Sequence, residues 1–248
     1  MALHIYKLNS TNPFFNLATE EYFQSHIDKS ENDSYLFFYE NSSSVILGKT
    51  LDLTKEVYGH KKLPFTIRRS SGGGSVAHFP GNLNFGILLN LDSYPELNNI
   101  ANSYQVILKT LAIAIYPALS VEIAGISDLS ISQRGELKKI SGNAQTRKRK
   151  WLLHHGTLIY DTAHLSRISY FLKPPPKEPD YRQSRKHGEF LLKKVPTVGK
   201  NRIIRSIITA FSEKFEQNPV FKKLDPEVKR EIRKYSQTFI KERWLALQ

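Results

Sequence analysis

The chain has 248 residues, of which 40% are hydrophobic, 11% aromatic and 24% charged; this is ordinary globular composition and enough chain for a substantial core. It contains no cysteine, which excludes disulfide bonds, thiolate metal sites and any mechanism that needs a cysteine nucleophile. Its 36 basic and 23 acidic residues give a formal charge of +13, and this excess indicates a negatively charged partner.

The sequence carries no signal that directs it to a membrane. The first ten residues lack the basic and apolar regions of a signal peptide. No apolar run approaches the roughly 18 residues that a membrane span needs. We therefore expect a cytoplasmic protein with no membrane partner, and we expect it to be a monomer.

Hydrophobic spacing predicts short strands mixed with helices. Asn12 can cap a first helix that begins at Pro13, and a second helix is predicted over residues 100–119, ending near Pro117. Strands are predicted at residues 35–39, 44–47, 65–69, 83–91, 120–124, 129–132, 138–144 and 151–160. The remaining predictions are a short helix at 163–172, an exposed basic loop at 173–200, and helices at 203–215 and from Asp225 to Trp244.

These elements do not alternate strictly as βαβ units. They favour an α+β fold with mixed, mostly antiparallel sheets flanked by helices.

The sharpest motif is the sequence RRSSGGGSVAH at residues 68–78. Three glycines after a strand let the backbone approach a ligand with its N–H groups free. A buried arginine pair at the entrance, Arg68 and Arg69, suits a phosphate or carboxylate. A flexible hairpin turn would have the same glycines. The motif is not a Walker A loop, because no Gly-Lys-Ser/Thr follows, and it is not a dinucleotide fingerprint, because no helix starts after the glycines.

The second motif is KKISGNA at residues 138–144. On a strand, Lys139 and Ser141 share one face while Lys138 and Ile140 share the other. A lysine held in this way can place its ammonium against a bound acid or phosphate, although an edge-strand lysine that discourages aggregation would look the same.

The third motif is the histidine pair His154 and His155, which precedes Gly156 and Thr157. Neighbouring residues of a strand point to opposite faces, so the two histidines are poor joint metal ligands. We expect one of them to be structural and the other to line a pocket.

Taken in order, these motifs closely resemble the lipoate–protein ligase A family over roughly residues 4–172. Supporting segments are NLATEE at 16–21, VILGK at 45–49, GNLNF at 81–85 and SDL at 127–129. The resemblance implies the biotin/lipoate ligase catalytic domain, a class II synthetase-like fold, over residues 1–200. We expect residues 201–248 to form a C-terminal helical extension packed on the same domain.

The resemblance also implies a two-step reaction. Lipoate is activated by ATP to lipoyl-AMP, and the lipoyl group passes to a lysine of a lipoyl domain, in 2-oxoacid dehydrogenase E2 subunits or the glycine cleavage H protein. It implies that Lys139 is catalytic and that Asp128 is a carboxylate near Mg²⁺, with ATP and lipoate or octanoate as substrates. The residues implied in substrate and nucleotide binding are Arg69, Ser71, Gly72, Gly73, Gly74, Ser75, Val76, Ala77, His78, Asn82, Ser141, Gly142, Ala144, His155, Gly156 and Thr157.

This sequence departs from the family pattern at several positions. Leu51 and Asp52 replace a usual Gln-Asn pair, Asn143 replaces a serine, and Tyr39 stands where the family has tryptophan. Two-domain members carry a C-terminal accessory domain of about a hundred residues beyond the length of this chain. A transferase that accepts preformed lipoyl-AMP, or an octanoyltransferase without a cysteine, is therefore an alternative to the complete ligase.

A nucleic-acid-binding protein is a more distant alternative, motivated by the charge and by the basic run at residues 147–150. The sequence has no RNA-recognition signature, no zinc ligands and no clear recognition helix. Acidic lipoyl domains explain the positive charge better, because long-range attraction raises the rate of encounter.

Overall fold

The computed structural model describes residues 1–28, 32–59, 65–115, 120–192 and 199–243. The expected helix ends at Pro117 and Trp244 lie outside these residues. The strands are β1 (Ala2–Lys7), β2 (Ser34–Tyr39), β3 (Ser44–Leu47), β4 (Thr66–Arg68), β5 (Val76–His78), β6 (Asn82–Asn90), β7 (Val121–Ala124), β8 (Asp128–Gln133), β9 (Glu136–Lys148), β10 (Trp151–Ile159) and β11 (Asn218–Lys222). The α-helices are α1 (Pro13–His26), α2 (Leu53–Glu56), α3 (Ile100–Ile115), α4 (Ile168–Phe171), α5 (His187–Phe190), α6 (Lys200–Lys214) and α7 (Pro226–Arg243).

Eight strands form the main sheet in the order β11-β1-β2-β6-β10-β9-β8-β7. Its central and distal pairs are antiparallel, whereas β1 runs parallel to both β11 and β2. A small second sheet has the order β4-β3-β5. The predicted α+β class with mostly antiparallel sheets is confirmed.

Both faces of the main sheet are buried, and period-2 alternation decides which side chains enter which core. In β2, Leu36 and Phe38 join a core with α3 and α6, while Tyr35 and Phe37 join a second core with α1 and α7. This double burial explains why β2 reads as a nearly continuous apolar run rather than as an alternating one.

The main helices were predicted correctly from their caps and periodicity. Asn12 caps α1 by accepting hydrogen bonds from the backbone N–H groups of Phe14 and Phe15. Helix α6 packs on α3, and α7 packs on α1. Among the described residues, every helix is too short or too polar to cross a bilayer.

Several expectations were wrong or incomplete. Strands β1, β5 and β11 and the short helix α2 were not anticipated. The helix predicted at 163–172 is only a 3₁₀ turn followed by α4. In the segment predicted as an exposed loop, Arg182, Phe190 and Leu191 are buried, because they pack against the end of the main sheet described next.

Candidate active site

A cavity of about 180 Å³ lies at the end of the main sheet where β2 and β10 finish and β6 begins. The glycine motif, β9 and residues from 168 to 191 complete its wall. All of the residues predicted for the site line this cavity except Ser71, Gly72 and Gly73. The fold therefore brings together motifs that are up to 90 residues apart in the chain.

The ammonium of Lys139 is fixed by a carboxylate. Its Nζ lies 2.9 Å from Oδ1 of Asp128, and the hydroxyl of Tyr181 donates to Oδ2 of the same carboxylate at 2.6 Å. Burial, together with the Asp128 charge, raises the pKa of Tyr181, so this hydroxyl keeps its proton and remains a donor. One carboxylate thus joins the predicted catalytic lysine to a tyrosine that the sequence reasoning missed.

Gly142 makes room for this lysine. A Cβ on Gly142 would lie 2.9 Å from Nζ and 3.0 Å from Cε of Lys139. The expected strict alternation along this strand is interrupted, because Leu129 pairs with Ser141 while Ser130 pairs with Lys139. The lysine tail consequently lies across the glycine, three residues further along the strand.

Three cations lie close to the ring of Phe190 at the outer wall of the cavity. The charged groups of Arg182, Arg185 and Lys139 lie 4.8, 5.5 and 6.0 Å from its ring centroid. Such contacts stabilise desolvated cations. The neighbouring His187 also lines the cavity, and burial, followed by the Arg182 charge, lowers its pKa to about 4.

These wall residues were missed because the segment has no hydrophobic period. The signal that could have identified them is a basic stretch bounded by two aromatic residues, Tyr181 and Phe190. Large aromatic side chains are favoured where they can be buried, so they indicate packing rather than a solvated loop.

The buried side chain of Arg69 fixes the glycine motif by hydrogen bonds. Its guanidinium donates to Oγ of Ser71 at 2.9 Å, to the carbonyl of Gly74 at 2.8 Å, and to the carbonyls of Gly72 and Ile46. Burial lowers the pKa of Arg69 to about 10, so the group stays charged at neutral pH. The predicted buried arginine pair is only half correct, because Arg68 is partly exposed and donates to backbone carbonyls of residues 48–51.

Two glycines permit the tight course of this loop. Gly73 has φ +83°, and a Cβ there would lie 3.1 Å from Nη2 of Arg69. A Cβ on Gly48 would lie 2.0 Å from the carbonyl oxygen of Gly73. The loop is therefore held against strand β3 by a backbone approach that only glycine allows.

A buried hydrogen-bonded chain runs from the loop to helix α1. His155 Nδ1 lies 2.7 Å from Oε2 of Glu20, and His155 Nε2 lies 2.7 Å from Oγ of Ser71. Because Ser71 Oγ accepts from Arg69, its own proton is free to point at Nε2, which makes Nδ1–H the donor to Glu20. Tyr39 also donates to Glu20 at 3.0 Å.

This chain has the connectivity of a serine–histidine–acid triad. Ser71, however, is 1% exposed and does not line the cavity. Its oxygen is also engaged by the arginine. The arrangement therefore supports the loop and orients His155 rather than supplying a nucleophile.

The second histidine of the cavity, His78, has equally defined partners. Asn41 donates to its Nδ1 at 3.0 Å, and its Nε2–H donates to Oγ1 of Thr157 at 2.8 Å. Burial lowers the pKa of His78 to about 3, so the ring is neutral at physiological pH. The hydroxyl of Thr157 in turn donates to Asn84.

The neighbouring histidines of β10 point to opposite faces of the sheet, as expected. His155 faces the cavity, while His154 is fully buried beside Phe85 and Tyr104. Burial, followed by the charges of His155 and Arg147, lowers the pKa of His154 to about 3.

The carboxylate predicted to lie near magnesium, Asp128, is paired within the protein. Within the described ranges, no three His, Cys, Asp or Glu side chains are grouped so that they could hold a metal ion. Both oxygens of Asp128 are taken, one by an ammonium and one by a tyrosine hydroxyl. Mg²⁺ is usually held by one or two free carboxylates together with substrate phosphates. Each oxygen of Asp128 has a protein partner in this geometry, and its contact with a magnesium ion that arrives with ATP stays a prediction.

Comparison with known proteins places this fold and cavity in one family. Residues 12–215 match the family model of the lipoyl protein ligase A/B catalytic domain. The chain belongs to this family.

The relatives in sequence are lipoate-protein ligases. The chain is 34% identical to lipoate-protein ligase LplJ of Bacillus subtilis over 65% of its own length and 46% of that protein. It is also 34% identical to lipoate-protein ligase A of Bdellovibrio bacteriovorus, over 71% of this chain and 50% of the relative. The chain therefore spans about half the length of the curated relatives it matches.

Solved structures share the fold. The bipartite lipoate protein ligase of Thermoplasma acidophilum superposes with a TM-score of 0.75 at 22% identity, covering 96% of this chain and 92% of that one. A lipoate-protein ligase A bound with ATP gives 0.73 at 21% identity, covering 96% and 95%.

Proposed function

We propose that this chain carries the catalytic part of an ATP-dependent lipoate–protein ligase. The observation that carries the proposal is the ammonium of Lys139, held by Asp128 at the wall of the cavity in a member of this family. Relatives named lipoate-protein ligase support it, as do neighbours of the same fold described with bound lipoic acid and with ATP.

In the first step, a carboxylate oxygen of lipoate attacks the α-phosphorus of ATP. A new acyl oxygen–phosphorus bond forms, the bond to the β-phosphate bridge breaks, and pyrophosphate leaves with its electron pair. Negative charge accumulates around the phosphorus, and a fixed cation in a site that excludes water stabilises it best. Lys139 supplies that cation, while Arg69 holds the loop at 74–77 against the nucleotide.

In the second step, the neutral amine of an acceptor lysine attacks the carbonyl carbon of lipoyl-AMP. The carbon–oxygen bond to AMP breaks, an amide forms, and the nitrogen releases its extra proton to solvent. Lys139 stabilises the oxyanion as it develops. Catalysis then rests on positioning and electrostatics, with no covalent intermediate on the enzyme.

The substrates follow from this reaction. We propose lipoate, with octanoate as the alternative acyl group, and lipoyl domains of 2-oxoacid dehydrogenase E2 subunits and the glycine cleavage H protein as acceptors. Magnesium would arrive with ATP, and we derive no step from a metal ion held by Asp128. The division into a catalytic domain at 1–200 and a helical extension at 201–248 also remains a proposal.

Two parallel measurements test the function. The first is pyrophosphate release from ATP and lipoate without any acceptor. The second is transfer from synthetic lipoyl-AMP to a recombinant unlipoylated lipoyl domain, read by intact mass. We expect both reactions.

Other outcomes select the alternatives. Transfer from lipoyl-AMP without pyrophosphate release, even with acceptor present, would leave only the transferase. Transfer of octanoate from acyl carrier protein would indicate the octanoyltransferase. Absence of every acyl reaction, with retention of nucleic acid at physiological salt, would contradict the enzyme assignment altogether.

A further inference from the structure

A second cavity lies outside the candidate active site and is strongly basic. It has a volume of about 560 Å³ and is bounded by the ends of β1 and β11, the start of α1 and one side of α7. Among the described residues, five cationic side chains and no carboxylate line it. We call it the basic groove; its cations are Lys7, Lys222, Lys223, Lys229 and Arg233.

The two groove cations on α7, Lys229 and Arg233, differ from the other cations of that helix. On α7, Arg230 pairs with Glu227 and Lys234 pairs with Glu231. In the described part of the chain, no ion pair involves Lys229 or Arg233, which lie four residues apart on the groove side. Like charges at this spacing repel each other and destabilise a helix, so the basic groove lowers the free energy of unfolding. A bound anionic partner would offset this repulsion.

The basic groove lies at the same end of the main sheet as the catalytic cavity. Strands β11, β1 and β2 are parallel, so their carboxyl ends meet at one edge, and the catalytic cavity begins where β2 ends. From β1 to β10 there are three strand steps, or about 15 Å at the usual strand spacing of roughly 5 Å.

A thin polar wall separates the two cavities. The side-chain amide of Asn16 donates to the carbonyl of Ser10, which lines the groove, and to Oδ1 of Asn41. Asn41 donates to His78, which lines the catalytic cavity. A small folded domain of about 80 residues has a radius of gyration of roughly 12 Å, so one seated over the catalytic cavity also covers the groove.

We infer that the basic groove is the docking surface for the acceptor domain and binds acidic side chains that flank its target lysine. This inference rests on the proposed function, because it needs an acceptor protein. Charge complementarity and the short distance from the transfer cavity favour an acidic protein. A nucleic acid would also be attracted by the positive charge, but its binding would not require a position beside the catalytic cavity.

The test compares two triple variants of equal charge. The groove variant combines Lys222→Gln, Lys229→Gln and Arg233→Gln. The control variant combines Lys109→Gln, Arg205→Gln and Lys214→Gln, which are exposed residues on α3 and α6 that line neither cavity. Thermal unfolding checks that both variants fold.

The measurement is kcat/KM for transfer from synthetic lipoyl-AMP to an acidic, unlipoylated E2 lipoyl domain, at 20 to 500 mM NaCl. At low salt we expect the groove variant to lose at least about 10-fold and the control less than about 2-fold, with the difference vanishing at high salt as charges are screened. Pyrophosphate release from ATP and lipoate without acceptor should be unchanged in both variants.

The outcomes separate this inference from the proposed function. If wild-type protein modifies the lipoyl domain and the groove variant matches the control, the docking surface is wrong while the enzyme assignment stands. If wild-type protein neither releases pyrophosphate nor modifies the domain, both are wrong. A single-stranded oligonucleotide that binds wild-type but not the groove variant at 150 mM NaCl, and displaces the lipoyl domain, would replace the protein partner by a nucleic acid.

Discussion

At the scale of single residues, the proposed chemistry depends on the position of one ammonium. Lys139 has a side chain that is 26% exposed, and its tail crosses a glycine to reach Asp128. The surroundings therefore fix where its positive charge lies without burying it completely. Removing the side chain deletes the charge that we propose to be catalytic and few core contacts.

We expect Lys139→Ala to lose about 10²- to 10³-fold in the rate of transfer, the usual cost of removing one donor to a developing oxyanion. Lys139→Arg should also fail, because a planar guanidinium does not replace a compact ammonium. Intact-mass measurement of the acceptor checks the rate, and the melting temperature should change little. A rate near wild type in folded Lys139→Ala would remove this lysine from the mechanism.

Gly142→Ala tests the path of the lysine tail. The added methyl would lie 2.9 Å from Nζ, so we expect the ammonium to shift and the transfer rate to fall about 10-fold, since small displacements of catalytic groups are costly. The matched control is Gly188→Ala, where a Cβ meets no atom within 4 Å. Equal activity of the two variants would show that the lysine tolerates the displacement.

At the scale of elements, the segment from 173 to 192 is more than a connection. It brings Tyr181 to Asp128 and Phe190 to the cation cluster. The cavity beneath it holds only about 180 Å³, whereas ligand pockets commonly measure roughly 300–1,000 Å³. We therefore expect the segment to shift when a lipoyl group and a nucleotide bind together, as lids do in many enzymes.

Tyr181→Phe removes the hydroxyl and keeps the ring that packs on Phe190. If Tyr181 positions Lys139 through Asp128, we expect kcat to fall about 10-fold with the KM for lipoate nearly unchanged. In the Asp128→Asn background the same substitution should have little further effect, because a double-mutant cycle reports such coupling.

Tyr94→Phe is the matched control for this cycle. Its hydroxyl donates to the carbonyl of Phe215 in the main core and accepts from Gln217, so its loss should lower stability and leave kcat unchanged. Additive effects of Tyr181→Phe and Asp128→Asn would mean that the tyrosine acts independently of the carboxylate.

The elements that the sequence predicted are those with a local cause. Helix α1 has its cap at Asn12, α6 has an apolar stripe, and the lysine strand and glycine loop have distinctive compositions. Strand β11 was missed because it contains Pro219, is mostly exposed and is defined by pairing with β1, more than 200 residues away. The partners of Tyr181 are likewise set by tertiary contacts and leave no periodic trace.

At the scale of the whole molecule, buried neutral histidines link stability to pH. His154 has a pKa of about 3 in the folded protein, against 6.5 ordinarily. Below pH 6.5 the unfolded chain takes up a proton that the folded chain refuses, so the free energy of unfolding falls as the pH drops from 6.5 towards 3. His78 and His187 act in the same direction.

We expect the melting temperature of the wild-type protein to decline between pH 7 and pH 5. In His154→Gln the free energy of unfolding should fall less steeply, with a slope smaller by up to about 1.4 kcal/mol per pH unit. Thermal unfolding across this pH range measures both slopes. His26→Gln, at an exposed position, is the control and should follow the wild type. Parallel curves for His154→Gln and wild type would contradict this origin of the acid sensitivity.

The parallel pairing of β1 between β2 and β11 also governs how the protein can be made. Strand β1 is translated before its outer partner, which follows 216 residues later. At bacterial or eukaryotic elongation rates of about 5–20 residues per second, β1 waits roughly 10–40 s for β11 to leave the ribosome. During that time its outer edge is an open template for a strand from another nascent chain, and a chaperone that shields this edge would raise the yield of folded enzyme.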